Sequence, residues 1–172
     1  MSSHDEPALG PEFELELERA PEDPSLPDRI RRLVHVERFA VLCTQGDRQP
    51  YGSVVAFALS ADLSVAVFAT PMTTRKYRLL SECDRVALVV DNRGKYPHDM
   101  MKVEAITATG VAVQLKPDPE LDGWAELLTA RHPYLRSFVK APSTALFRID
   151  IVRYLYVTRF QEVRQWVPVL DG

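Results

Sequence analysis

The sequence predicts a mainly β protein, an antiparallel β-barrel with helical insertions. Three observations predict it. Short apolar segments rich in Val, Ile, Phe and Tyr recur along most of the chain. The first of them are joined by connections of hairpin length, which makes neighbours antiparallel. The helix patterns are few and short, and they do not alternate strand by strand as a parallel α/β sheet requires.

The elements follow in order. Residues 1–12 are polar and acidic, with Pro7 and Pro11, and read as disordered. Phe13-Glu14-Leu15-Glu16-Leu17-Glu18 alternates strictly, which gives one apolar and one charged face. It is either an edge strand or a segment that orders only against a neighbour. Pro21, Pro24 and Pro27 mark a linker. Residues 1–24 are thus expected to form a partly flexible arm, and 25–172 a single domain. A helix is expected from Ser25 to about Glu37. Ser25 is its candidate cap, Pro27 suits the first turn, and Asp28 suits the positive end of the dipole. Ile30, Leu33, Val34 and Val36 form its apolar face. Strands are expected over Phe39 to Thr44, Tyr51 to Leu59 and Leu63 to Thr70, with turns at 45–50 and 60–62. Met72 to Glu82 reads as a short helix opening at the threonines. Arg85 to Val90 is a strand, 91–97 a loop, and Val103 to Leu115 a long strand with a bend at Gly110. Pro117 to Arg131 and Pro133 to Val139 read as helices. Thr144 to Phe160 supplies one or two closing strands, and Trp166 to Leu170 a last strand or a tail.

The bulk numbers narrow the function classes. The 172 residues are 46% apolar and 26% charged, which fits one soluble domain. Lys plus Arg is 21 and Asp plus Glu 24, a net charge of -3. That balance argues against a nucleic-acid or anionic-membrane partner. No apolar run reaches the ~18 residues a membrane span needs. The first ten residues lack the apolar core of a signal peptide, so a cytoplasmic location is expected. Cys43 and Cys83 lie in apolar stretches away from any metal or redox spacing, and read as two buried reduced thiols.

The most informative segment is Phe68-Ala69-Thr70-Pro71-Met72-Thr73-Thr74-Arg75-Lys76. It runs from a strand end through a tight loop into a helix start. A helix N-terminus presents free N–H groups and a partial positive charge. Thr73 and Thr74 add hydroxyls there. Arg75 and Lys76 add full charges, and Arg grips phosphate oxygens in a bidentate way. A cation in the first turn opposes the helix dipole by ~0.3–1 kcal/mol. Two in tandem point to an anion that offsets them. The competing reading is a solvated Arg-Lys pair at a capped helix end.

This stretch resembles the pyridoxamine-phosphate-oxidase-like, FMN-binding split-barrel family. The resemblance rests on Val67-Phe68-Ala69-Thr70, on Thr74-Arg75-Lys76, on the strand Cys83 to Val90, and on the upstream turn and strand Gly46 to Val55. It covers roughly residues 28 to 115. It implies that Thr70, Thr74, Arg75 and Lys76 hold the FMN phosphate, with Ala69 and Thr73 in the same corner. It implies that Ser53, Val54 and Val55 lie on the strand whose backbone edges the flavin ring. It further implies a homodimer with FMN at the subunit interface, and a small-molecule substrate or electron donor. Two departures limit the transfer. The oxidases' strand Gln falls at Ala105, with Glu104 beside it, and the motif around Trp166, Arg164 and Gln165 does not match. The resemblance therefore implies an FMN-dependent oxidoreductase with an unassigned substrate rather than the vitamin oxidase. A flavin or heme carrier or sensor, a deazaflavin-dependent reductase and a purely structural dimer are the alternatives.

Other positions carry less. Asn92 at a strand end is a candidate ligand of the ring edge, and Arg93 reads as a turn residue. His35, His98 and His132 show no metal-ligand spacing, so no metal is expected. No side chain is an evident acid, base or nucleophile. Met100 and Met101 are either pocket lining or core. Trp124, Tyr134, Phe138, Phe147 and Tyr154 read as packing residues.

Overall fold

The computed structural model describes residues 25–117, 119–159 and 162–169. The expectations for residues 1–24, and for Phe160 and Leu170, lie outside them. Among the described residues, seven strands form one sheet, in the order β3-β2-β1-β4-β5-β6-β7. They are β1 (Phe39–Gly46), β2 (Gln49–Leu59), β3 (Val65–Pro71), β4 (Arg85–Asp91), β5 (Ala105–Gln114), β6 (Thr144–Thr158) and β7 (Glu162–Trp166). All pairings are antiparallel. An added β3–β6 pairing closes β1 to β6 into a six-stranded barrel, and β7 extends β6 beyond the closure.

Alternation decides which residues fill the barrel. Along β4 and β5 every second residue is buried. Leu42, Val55, Phe57, Phe68, Leu88, Ile106, Ile149 and Tyr156 meet in one interior cluster. Phe68 and Phe147 stack with centroids 5.4 Å apart. Burying a side chain of this size stabilises by ~2–3 kcal/mol. Tyr154 has no exposed surface, and its hydroxyl donates to the Leu63 carbonyl at 2.7 Å, so its burial leaves no unmet polar group.

Four α-helices among the described residues accompany the sheet. They are α1 (Leu26–Val36), α2 (Arg75–Glu82), α3 (Pro119–Arg131) and α4 (Arg136–Val139). α1 turns Leu26, Ile30, Leu33 and Val34 into the barrel. α3 lies outside, over Ala58, Val67 and Leu146, and forms a second, smaller core with Leu128. Arg148 of β6 pairs with Glu120 at the start of α3, which also accepts from the Trp124 indole at 3.0 Å. No described helix is long and apolar enough to cross a membrane.

Several expectations need correction. Ser25 precedes α1, but its side chain makes no capping bond to the helix. Val36 faces solvent, because the helical face turns away after Val34. β3 starts at Val65. Leu63 sits in a left-handed turn at φ 64°, braced by Asp62 bonds to Ser60 and Ser64. The bend at Gly110 is a β-bulge, with a register shift between Thr109 and Gly110. A Cβ at Gly110 would lie 2.4 Å from the Asp150 carbonyl oxygen, so a close strand approach requires glycine there. The last strand ends at Trp166, which pairs with Tyr154, and residues 167–169 follow as a tail, the second of the two expected alternatives. Both cysteines are only partly buried. Tyr134, Met100 and Met101 are exposed rather than packed.

Candidate functional site

The site is built where β2 and β3 separate. The β2–β3 ladder runs only from Phe57↔Phe68 to Leu59↔Ala66. Extended by the same register, Val55 would face Thr70, but no pairing forms there. β3 stays paired to β6 on its other side through Pro71↔Thr144. The result is a slot with the Ser53–Val55 edge of β2 on one side and the end of β3 on the other. α2 starts at its mouth. Gly46 of β1 lies beneath this helix, against the side chains of Leu79 and Glu82.

Thr70 and Thr74 organise the corner. Thr74 is the N-cap of α2, and its Oγ1 accepts from Tyr77 N at 3.2 Å. The same hydroxyl donates to the Pro71 carbonyl at 2.9 Å. Its single proton is thereby used, so the 3.0 Å contact with Thr70 Oγ1 has Thr70 as donor. Thr70 is fully buried. Both hydroxyls therefore shape the turn, and the groups presented outward are Thr73, Arg75, Lys76 and the helix N-terminus. The backbone N–H groups of Arg75 and Lys76 find no acceptor among the described residues.

The charges at this corner are unusual for the molecule. α1 carries Asp28 in its first turn and α3 carries Glu120 and Asp122, as the helix dipole favours. The first turn of α2 holds no acid, and it opens on Arg75-Lys76. Neither residue has an acidic partner within the described structure. Lys76 is half-buried, and that burial pulls its ammonium below the usual lysine range. The Arg75 guanidinium lies over the Tyr51 ring at 5.0 Å, which ties the cationic corner to β2. Tyr51 was not singled out in the sequence. Period two was the available signal, since it places Tyr51 on the same face as Ser53 and Val55.

The other predicted residues fall in different places. Ser53 points into the barrel opposite Leu42, and its Oγ is buried without a hydrogen-bond partner. Val55 is in the core and offers only its backbone. Val54 faces outward and is 70% exposed. Ala69 faces the small core beneath α3, so its side chain turns away from the slot. Asn92 lies past the end of β4, four residues and ~13 Å along that strand from Leu88, which shares a row with Ser53. Its amide is engaged by Glu104. Asn92 Oδ1 accepts from Glu104 N at 2.8 Å, and Glu104 Oε1 accepts from the Tyr156 hydroxyl at 2.5 Å. Burial first, and then Glu104, push that phenol up to about 12. Arg93 pairs with Asp91 at 3.2 Å, as a turn residue would. His132 is wholly buried, with Nε2 2.9 Å from the Phe57 carbonyl oxygen and Nδ1 3.3 Å from the Tyr134 hydroxyl.

The family model for pyridoxamine 5'-phosphate oxidase matches residues 26–158. The chain belongs to the pyridoxamine 5'-phosphate oxidase-like split-barrel family. Solved structures agree on the fold. A heme binding protein from Mycobacterium smegmatis superposes with TM-score 0.74 at 15% identity, over 86% of this chain and 60% of that one. This chain thus spans less than two thirds of the mycobacterial protein. A Clostridium acetobutylicum protein of the pyridoxinephosphate oxidase family, related to general stress protein 26, gives 0.67 at 12% identity, over 84% and 96%. A FAD-binding protein from Mesorhizobium loti gives 0.60 at 18% identity, over 74% and 89%. Identities this low establish the shared barrel and nothing finer. No curated protein matches the sequence.

Proposed function

We propose that this split barrel binds FMN and works as an FMN-dependent oxidoreductase on a small substrate. The observation that carries the proposal is the α2 corner: a half-buried Lys76 and an Arg75, both without acidic partners among the described residues, in a first helical turn that holds no acid. A phosphate there offsets both charges and the dipole at once. Arg75, Lys76, Thr73 and the free N–H groups of the turn would hold it. Thr70 and Thr74 would keep the turn in shape. The unpaired backbone edge of β2 from Ser53 to Val55 would give a ring polar contacts beside the slot.

When bound, FMN supplies hydride and electron transfer. The chain contributes position, a dry wall and charge. No group in the slot is placed as an acid or base, so the substrate's own chemistry and the partner subunit would complete the reaction.

The homodimer reading is supported by the outer face of the sheet. Val54, Val41, Val89, Thr107 and Leu155 form one row across five strands. A smooth, mostly apolar row outside the barrel suits a second copy, and Val54 places it next to the slot. A cytoplasmic location belongs to the same reading.

A second reading is heme carriage. It is favoured by the names of structural neighbours, the mycobacterial heme binding protein and the heme storage protein HutZ of Vibrio cholerae. Within this chain, His132 is buried with both ring nitrogens engaged, which removes it as an axial ligand. The absorbance spectrum of the purified protein separates the readings. FMN binding predicts the two flavin bands, either on isolation or after FMN is added. A Soret band supports heme. A protein that stays colourless and takes up no added FMN overturns the proposal.

A further inference from the structure

The Arg75 side chain is exposed, and an exposed arginine samples many rotamers that it must give up to grip a ligand. What orients it comes from β2. Its guanidinium lies over the Tyr51 ring at 5.0 Å, and no carboxylate, carbonyl or hydroxyl among the described residues holds it. Arg131 gives the contrast. Its guanidinium also lies over a ring, that of Phe57 at 5.3 Å, but it donates to the Val34 and Glu37 carbonyls as well. Arg131 is therefore fixed with or without its ring, whereas Arg75 has the ring alone. A guanidinium held over a ring keeps its N–H fork for an anion, because the contact draws on its charge and its face.

Tyr51 stands on a rigid frame. β1 and β2 meet in a two-residue loop, Asp47-Arg48, with both residues at positive φ. Thr44 faces Tyr51 across the ladder, and its buried hydroxyl donates to the Tyr51 carbonyl at 3.2 Å. The ring is thus anchored on β2, two residues before the Ser53–Val55 wall of the slot. Arg75 belongs to α2 at the slot's mouth. The pair joins the wall to the mouth.

We propose that Tyr51 is the positioning residue for Arg75, and that it sets the preference for a flavin with a phosphate over one without. Its ring keeps the Arg75 fork at the start of α2, beside Lys76 and the N–H groups of the turn. Tyr51 acts through Arg75 and not by bonding the phosphate, so its hydroxyl is dispensable. This role rests on the phosphate reading of the corner.

Titration of the full chain with FMN and with riboflavin tests it. The variants are Tyr51→Leu and Tyr51→Gln, which lack an aromatic face, Tyr51→Phe, which keeps one, and Tyr51→Leu with and without Arg75→Ala. Thermal melts show which of them fold. Losing the ring is expected to weaken FMN binding about fivefold to tenfold, the size of a cation–π contact, while riboflavin binding stays within about twofold. Tyr51→Phe is expected to bind FMN within about twofold of the unaltered chain. In the Arg75→Ala background, Tyr51→Leu is expected to change nothing further. Equal losses of FMN and riboflavin binding, no loss, or a loss that persists in full without Arg75 overturns the positioning role and leaves the phosphate reading standing. So does a Tyr51→Phe loss as large as that of Tyr51→Leu, which would assign the effect to the hydroxyl. An unaltered chain that binds FMN no more tightly than riboflavin overturns both.

Discussion

The molecule has two cationic corners, at the start of α2 and at the end of α1, and their partners differ. At the end of α1, Arg131 donates to the Val34 carbonyl, and to the Glu37 carbonyl at 3.0 Å. Arg38 donates to the Arg131 carbonyl at 2.8 Å, and the Arg131 guanidinium lies over the Phe57 ring at 5.3 Å. These cations meet the negative end of a helix, where the dipole welcomes them. At the start of α2 the cations meet the positive end, and no carboxylate or carbonyl among the described residues answers them. The comparison teaches that cation count identifies neither corner. The first is already held by backbone carbonyls of the fold, and so is structural. The second is where we propose that the phosphate binds.

This contrast predicts opposite responses to mutation. Arg75→Ala with Lys76→Ala removes two charge-assisted contacts. FMN affinity should fall about 100-fold, or ~3 kcal/mol, with little change in melting temperature. Isothermal titration and thermal melts check both halves. Arg131→Ala should do the reverse. It leaves the last carbonyls of α1 without a partner and costs ~2 kcal/mol of stability in urea unfolding, with FMN affinity unchanged. A large loss of FMN affinity in Arg131→Ala would erase the distinction.

The structural corner also has a pH signature. Burial, with the nearby Arg131 and Arg38 charges, holds His132 below the ordinary 6.5, while its bond to the Phe57 carbonyl opposes the shift less strongly. The unfolded chain then binds the proton more readily than the folded one. Stability is full above pH ~6.5 and declines as pH falls through that value toward the folded pKa. Chemical unfolding at stepped pH should show this decline, and His132→Gln should flatten it. The smallest effect sharpens the comparison most. Lys76→Glu places an acid where the dipole wants one, so the ligand-free protein should gain ~0.3–1 kcal/mol while losing FMN binding. Destabilisation instead would mean that Lys76 already has an anionic partner in the fold.

Much of the fold was legible because its rules are local. Period-two burial in β4 and β5 follows directly from their residues, and so do the turn formers around Asp47 and Arg48, both at positive φ in a two-residue hairpin loop. The last strand shows the limit. Trp166 looked like the start of an apolar segment, but its place is set by Tyr154, twelve residues away across a hairpin. The site divides in the same way. Thr74, Arg75 and Lys76 are local to one helix start and were legible. The proton chain from Thr70 through Thr74 to Pro71, the Tyr51–Arg75 contact and the Asn92–Glu104 link depend on how strands pair and part. Spacing along one strand does not reveal them.

The claim that a phosphate belongs at the start of α2 is tested most directly by titrating the protein with FMN and with riboflavin. The two share the ring and differ in the phosphate. The account predicts that FMN binds at least about 100-fold more tightly, and that Arg75→Ala with Lys76→Ala brings the two affinities together. Equal affinity for FMN and riboflavin in the unaltered protein would contradict it.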